Sequence, residues 1–163
     1  MLKEYEAEMP YKLIDKAEVS LVSDLPFDES CIFCKIVRKQ APSSLIYEDD
    51  TIIVFLDIRP LNMGHTLVIP KGHYVDIFDI PEKELSQMYK VAKQVSFAIK
   101  KATNADGISI IQQNGKAAGQ DIFHIHVHVV PRFEGQKLPP FSELKEVERA
   151  KLDALARKIK QQL

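Results

Sequence analysis

Hydrophobic and polar residues change their period repeatedly along this chain, and each change marks an element. In Cys31-Ile-Phe-Cys-Lys-Ile-Val37 the apolar residues Ile32, Phe33 and Ile36 recur at helical spacing, which predicts a short helix. Leu45-Ile-Tyr47 and Thr51-Ile-Ile-Val-Phe-Leu56 are rich in branched and aromatic residues, and the acidic link Glu48-Asp49-Asp50 suits a hairpin between them. His65-Thr-Leu-Val-Ile-Pro70 reads as a third strand, stopped by Pro70. Pro81 then opens a helix at the first-turn position, where its missing N–H matters least. Leu85, Met88, Ala92, Val95, Ile99 and Ala102 follow at alternating steps of three and four, one buried stripe, with Gly107 just past the end. Ile108 to Ile111 and Ile122 to Val130 predict two more strands, separated by the Asn114-Gly115…Gly119 turn region. Pro139-Pro140 break the chain before a last amphipathic helix, with Phe141, Leu144, Val147, Leu155 and Ile159 toward one side.

The order β-β-β-α-β-β, with links of hairpin length, predicts an antiparallel α+β domain rather than a parallel sheet. Residues 1–30 are charged and weakly patterned and are expected to form an N-terminal extension. The domain is expected over 31–135, with a helix-bearing extension over 136–163.

Composition narrows the class without naming a function. The chain has 163 residues, enough for one domain with a self-sufficient core. Apolar residues at 45% and charged residues at 28% exclude disorder for most of it. A net charge of −1 supplies no basic field for phosphate backbones, so no dedicated nucleic-acid binding is expected. No apolar run approaches the roughly 18 residues of a membrane span, and the start lacks the stretch of a signal peptide. A cytoplasmic, reducing setting is therefore expected, in which two cysteines are thiols or metal ligands rather than a disulfide.

The chemistry lies in Phe123-His-Ile-His-Val-His-Val-Val-Pro131, which alternates strictly. On a strand, His124, His126 and His128 share one face, and Ile125, Val127 and Val129 the other. Two-residue steps of about 6.6 Å are too long for all three rings to ligate one ion about 2.0 Å away. Imidazoles titrate near 6.5, so one can act as nucleophile at neutral pH while a neighbour donates hydrogen bonds to an anion.

The run His124-Ile-His-Val-His-Val-Val130 resembles the His-φ-His-φ-His-φ-φ signature (φ apolar) of the histidine triad (HIT) superfamily. Cys31-Ile-Phe-Cys-Lys-Ile36, Phe55-Leu-Asp-Ile58, Gly64-His-Thr-Leu-Val-Ile-Pro-Lys71 and Asn114-Gly…Gly119-Gln120 agree in the family's order, over about residues 31–132. The chain is most similar to the Hint-like branch. The resemblance implies an α+β fold with a five-stranded antiparallel sheet, dimerising into a ten-stranded sheet. It also implies hydrolase or transferase chemistry on nucleoside phosphates.

Carried over residue by residue, the resemblance makes His126 the nucleophile that forms a covalent nucleotidyl-imidazole, later cleaved by water, and implies that its other ring nitrogen is held by the backbone carbonyl of His124. His128 is implied as a phosphate donor and His65 as a residue near the leaving group. Asn114, Gly119 and Gln120 are implied at the phosphate, Asp57 at the ribose hydroxyls, and Phe33, Ile36, Phe55 and Ile58 as walls of a purine slot. Asp121 departs from the family, many of whose members carry a hydroxyl residue there; a carboxylate beside a phosphate repels it, so either its side chain points elsewhere or specificity differs, and Asp121 is not counted among the catalytic residues. Cys31-x-x-Cys34 alone is a weak signal, but some Hint relatives pair such cysteines with two histidines around zinc. The matching positions are His73 and His124, giving a closed structural Cys₂His₂ set with no part in the chemistry.

The expected function is thus cleavage of an α-phosphate linkage in purine nucleoside monophosphate conjugates of the adenosine phosphoramidate type. Hydrolysis of dinucleoside polyphosphates is a second reading, compatible with Val129-Val-Pro-Arg132. A non-catalytic nucleotide-binding or interaction module is a third, against which the intact triad argues.

Overall fold

The computed structural model describes residues 24–163, so most of the N-terminal extension expected over 1–30 lies outside the described residues. The described chain runs α1 (Ile32–Val37), β1 (Leu45–Glu48), β2 (Ile52–Leu56), β3 (Thr66–Pro70), α2 (Glu82–Thr103), β4 (Gly107–Gln112), β5 (Val127–Arg132) and α3 (Arg149–Lys160). The strands form one five-stranded sheet in the order β1-β2-β3-β5-β4, every neighbouring pair antiparallel.

Period-two alternation divides the sheet between two cores. Ile52, Val54 and Leu56 of β2, Val68 of β3 and Val127 and Val129 of β5 face α2, whose Met88, Val91, Val95 and Ile99 are buried against them. On the other face, Ile53 and Phe55 of β2 and Leu67 and Ile69 of β3 meet α1 through Phe33, Cys34, Ile36 and Val37. Ile32, expected on the buried side of α1, is exposed. The helix α3 adds Leu152, Ala156 and Ile159 to the α2-side core. It is tied to the start of β1 by Ser44 Oγ, which donates to Asp153 Oδ1 at 2.6 Å.

Four boundaries differ from the sequence expectations. Pro81 is the residue before the first turn of α2, with ψ 141°, and Glu82 opens the helix. The helix ends on Asn104, whose left-handed φ of 55° is tolerable for asparagine, while Gly107 begins β4. The strand expected from Ile122 starts at Val127, because the Ile125 N–H donates to the Tyr74 carbonyl at 2.7 Å instead of joining a ladder. Phe141 and Leu144 lie outside the last helix. Phe141–Glu143 make a short 3-10 turn, the chain then runs without regular structure to Glu148 while the Val147 N–H donates to the Ile58 carbonyl at 2.9 Å, and α3 begins at Arg149.

Candidate active site and metal centre

Although residues 122–126 leave the ladder, the alternation survives: Ile125, Val127 and Val129 enter the α2-side core, and the three histidines turn toward α1 and the β2–β3 loop. Phe33 packs edge-on against both His124 and His126, with ring centroids 5.7 and 5.3 Å away. His126 and His128 meet edge to face at 4.7 Å, and His65 joins from the start of β3.

Backbone groups fix the proton on each ring, because a carbonyl can only accept and an amide N–H can only donate. His126 Nδ1–H donates to the His124 carbonyl at 2.7 Å, so its Nε2 carries the lone pair. His124 Nε2–H donates to the Pro70 carbonyl at 2.9 Å, which leaves its Nδ1 lone pair toward the cysteines. The Leu61 N–H donates to His65 Nδ1 at 3.0 Å. His65 therefore carries its proton on Nε2 and gives it to His128 Nδ1 at 2.9 Å. That leaves His128 with Nε2–H as a donor. One ring presents a nucleophilic nitrogen and its neighbour a hydrogen-bond donor, with no net charge on either.

Burial keeps these rings neutral. Desolvation, reinforced by the other rings, pulls His65 down to about 3 and His128 to about 4, and it lowers His126 as well. Asp57 is pushed up to about 6, mainly by desolvation and further by Asp121. Its Oδ2 lies 3.8 Å from His65 Nε2, and its Oδ1 accepts the Arg59 N–H at 2.9 Å. Asp57, His65 and His128 are close enough to suggest a metal site. The Leu61 N–H argues against one, since it occupies the only lone pair His65 has.

Phe33 and Phe55 meet edge on at 5.6 Å in the α1-side core, Ile36 is buried beside them, and Ile58 is exposed at 38%. Asn114 and Gln120 stitch loops. Asn114 Oδ1 accepts the Ile77 N–H at 2.8 Å. Gln120 accepts the Gly115 N–H at 2.7 Å and donates to the Val75 and Ile122 carbonyls, which commits its amide to the loops. Gly119 has a φ of +91°, which suits glycine, and a Cβ there would strike the Gln113 side chain. Asp121 Oδ1 lies 3.9 Å from His126 Nε2. The His124 carbonyl is the partner that the resemblance implies for His126, whereas the Leu61 N–H and the Pro70 carbonyl could not be found from sequence, because backbone groups leave no side-chain signal.

Cys31, Cys34, His73 and His124 form a second cluster, drawn from α1, the segment after β3 and the segment before β5. Sulfur to Nδ1 distances are 3.5 Å for Cys31–His124, 3.3 Å for Cys34–His73 and 3.6 Å for Cys34–His124. A tetrahedral ion with bonds of about 2.3 Å to sulfur and 2.0 Å to nitrogen sets S and N about 3.5 Å apart. The donor set thus fits a closed four-coordinate metal. Burial pushes the Cys34 thiol up to about 11, so a cation at this spot would favour the thiolate.

Three histidines alternating into the start of strand β5 of a five-stranded antiparallel sheet place the chain in the histidine triad class. The HIT domain family model matches residues 38–135, and the chain belongs to that family. An uncharacterized HIT-like protein of Methanocaldococcus jannaschii is 42% identical over 131 residues, 80% of this chain and 98% of that one. The adenylylsulfatase HINT3 of Arabidopsis thaliana is 42% identical over 113 residues, 69% of this chain and 57% of its own length. A zinc-bound histidine triad family protein from Mycobacterium smegmatis aligns with a TM-score of 0.73 at 42% identity, covering 82% of this chain and 92% of that one.

Proposed function

We propose that this chain hydrolyses an α-phosphate linkage of purine nucleoside monophosphate conjugates, of the phosphoramidate type, through a covalent nucleotidyl-His126. The observation that carries the reading is the His124 carbonyl holding the His126 Nδ1 proton at 2.7 Å, which directs the Nε2 lone pair to the open side. His126 Nε2 forms the bond to phosphorus as the P–N bond breaks. The departing nitrogen keeps the bond pair and takes a proton from water at the mouth. A second water then attacks phosphorus, releases the monophosphate and neutral His126, and returns a proton to solvent. His128 Nε2–H hydrogen-bonds the phosphate throughout, Asp57 takes the ribose hydroxyls, and Phe33, Ile36, Phe55 and Ile58 wall the base. Zinc on Cys31, Cys34, His73 and His124 would hold the scaffold, supported by the donor spacing and by the zinc-bound relative.

Similarity to the adenylylsulfatase favours a second leaving group, sulfate, attacked by the same nitrogen. Mixing the protein with phosphate-labelled adenosine phosphoramidate and quenching within a turnover should trap an acid-labile adduct. His126→Ala should form none and lose activity by several orders of magnitude while still binding nucleotide. Near-normal turnover by that variant would reject the assignment.

A further inference from the structure

Asp121 stands at the mouth of the histidine cluster, and nothing in the hydrolysis just outlined uses it. Its Oδ1 lies 3.9 Å from His126 Nε2, the attacking nitrogen, while also accepting the Ile122 N–H at 2.9 Å. The Asp121 side chain is 81% exposed and that of His126 only 4%, so the carboxylate lies outward of the nucleophile. Among the described residues no lysine or arginine pairs with it.

In-line displacement sets nucleophile, phosphorus and leaving atom on one line, with phosphorus about 3 Å from the attacking nitrogen. His126 is buried, and its free nitrogen looks outward past Asp121. The leaving group therefore departs on the solvent side, beside a fixed negative charge. A bound α-phosphate already carries one negative charge, so an anionic leaving group brings a third into the same space. A cationic one is attracted.

We propose that Asp121 is a specificity residue: it favours conjugates whose leaving group is positively charged and disfavours those with anionic leaving groups, polyphosphate included, which ranks sulfate, the second leaving group above, below the phosphoramidates. The proposal rests on the hydrolase reading above and narrows its substrate class. Asp121 neither gives nor takes a proton; it acts through its charge. Two charges about 6 Å apart at a partly solvated mouth change a rate by about tenfold.

The test uses three adenosine phosphoramidates of similar length, made from ethylenediamine, propylamine and β-alanine, whose far ends carry +1, 0 and −1. The parent protein should show kcat/KM falling in that order, by about tenfold per step. Asp121→Asn keeps the bond to the Ile122 N–H, since its amide oxygen can still accept. It should flatten the series to within about twofold, and Asp121→Lys should invert it. A purely structural aspartate would alter all three substrates alike. Equal rates on the three by the parent, or an unchanged slope in Asp121→Asn, overturns the specificity role. A parent that cleaves none of them overturns the hydrolase reading, and this refinement falls with it.

Discussion

Each histidine of the cluster has one ring nitrogen committed to a fixed partner, and the other nitrogen is what the site can use. His126 is left with a lone pair, His128 with a donor, and His124 with a lone pair toward two sulfurs. His65 is itself buried and acts on His128 rather than on an open face. The register of three imidazoles is legible in the sequence, because strict alternation is visible without a fold. For His126 the resemblance also implies which nitrogen is held; for His124 and His65 the presented nitrogen is not legible, because it depends on a carbonyl and an amide brought from elsewhere in the chain. On the proposed reading, in which Asp57 takes the ribose hydroxyls, Asp57 gives nucleotide binding its pH dependence. Its ordinary value of 3.8 is raised to about 6 by burial, so the carboxylate is ionised at pH 7.5 and mostly protonated at pH 5. The protonated form loses the anion that two ribose hydroxyls need. Affinity for adenosine phosphoramidate should therefore weaken by up to about tenfold between pH 7.5 and 5. Asp57→Asn should bind weakly with no such slope, as titration calorimetry at the two pH values would show. A parent whose affinity is flat, or rises on acidification, would remove Asp57 from the ribose.

At the scale of elements, β1 to β3 and α2 are legible because each buries apolar positions written in branched and aliphatic side chains, and β4 because its run Ile108 to Ile111 is rich in branched residues. The start of β5 is not. Residues 122–126 satisfy their backbone groups on Tyr74 and on a histidine ring, partners no local pattern announces. The start of α3 is also hidden, since Pro139-Pro140 look like the breaker directly before a helix, while the chain first runs to Ile58 and turns at Arg149. The Cys31, Cys34, His73 and His124 cluster joins three such segments, so a metal there would act as a staple. Protein purified without chelator should hold about one zinc per chain. Cys31→Ala/Cys34→Ala should lose it and melt several degrees lower while keeping measurable activity, because a closed site contributes folding free energy and no chemistry. Metal analysis with thiol titration and a melting curve decides this. Two freely titratable thiols in a metal-free parent, with unchanged stability in the variant, would exclude the site.

For the whole molecule, α2 and β4 together leave an apolar face that the protomer does not cover. β4 is an edge of the sheet, bonded only to β5, with its outer ladder groups facing outward. Beside it lies an open groove of about 550 Å³ between α2 and β4, lined by Tyr89, Phe97, Gly107 and Ile110 among others. Phe97 is 69% exposed, while its helix neighbours Val95, Ala98 and Ile99 are fully buried. A helix that buries one stripe and exposes a phenylalanine and a tyrosine alongside an edge strand matches what a two-fold copy would need. α2 would pack on its mate, and β4 would continue the sheet across the axis to ten strands. Phe97 and Tyr89 take no part in the α2-side core, so a substitution at Phe97 can break the interface without unfolding the chain. Sedimentation velocity at micromolar concentration should give about twice 18.6 kDa for the parent. Phe97→Asp should shift the protein to a single-chain mass with its α-helical circular dichroism retained, because a carboxylate cannot be buried there unpaired. A parent that sediments near 18.6 kDa, or a Phe97→Asp variant that remains a dimer, would show that this face serves something other than a second copy of the chain.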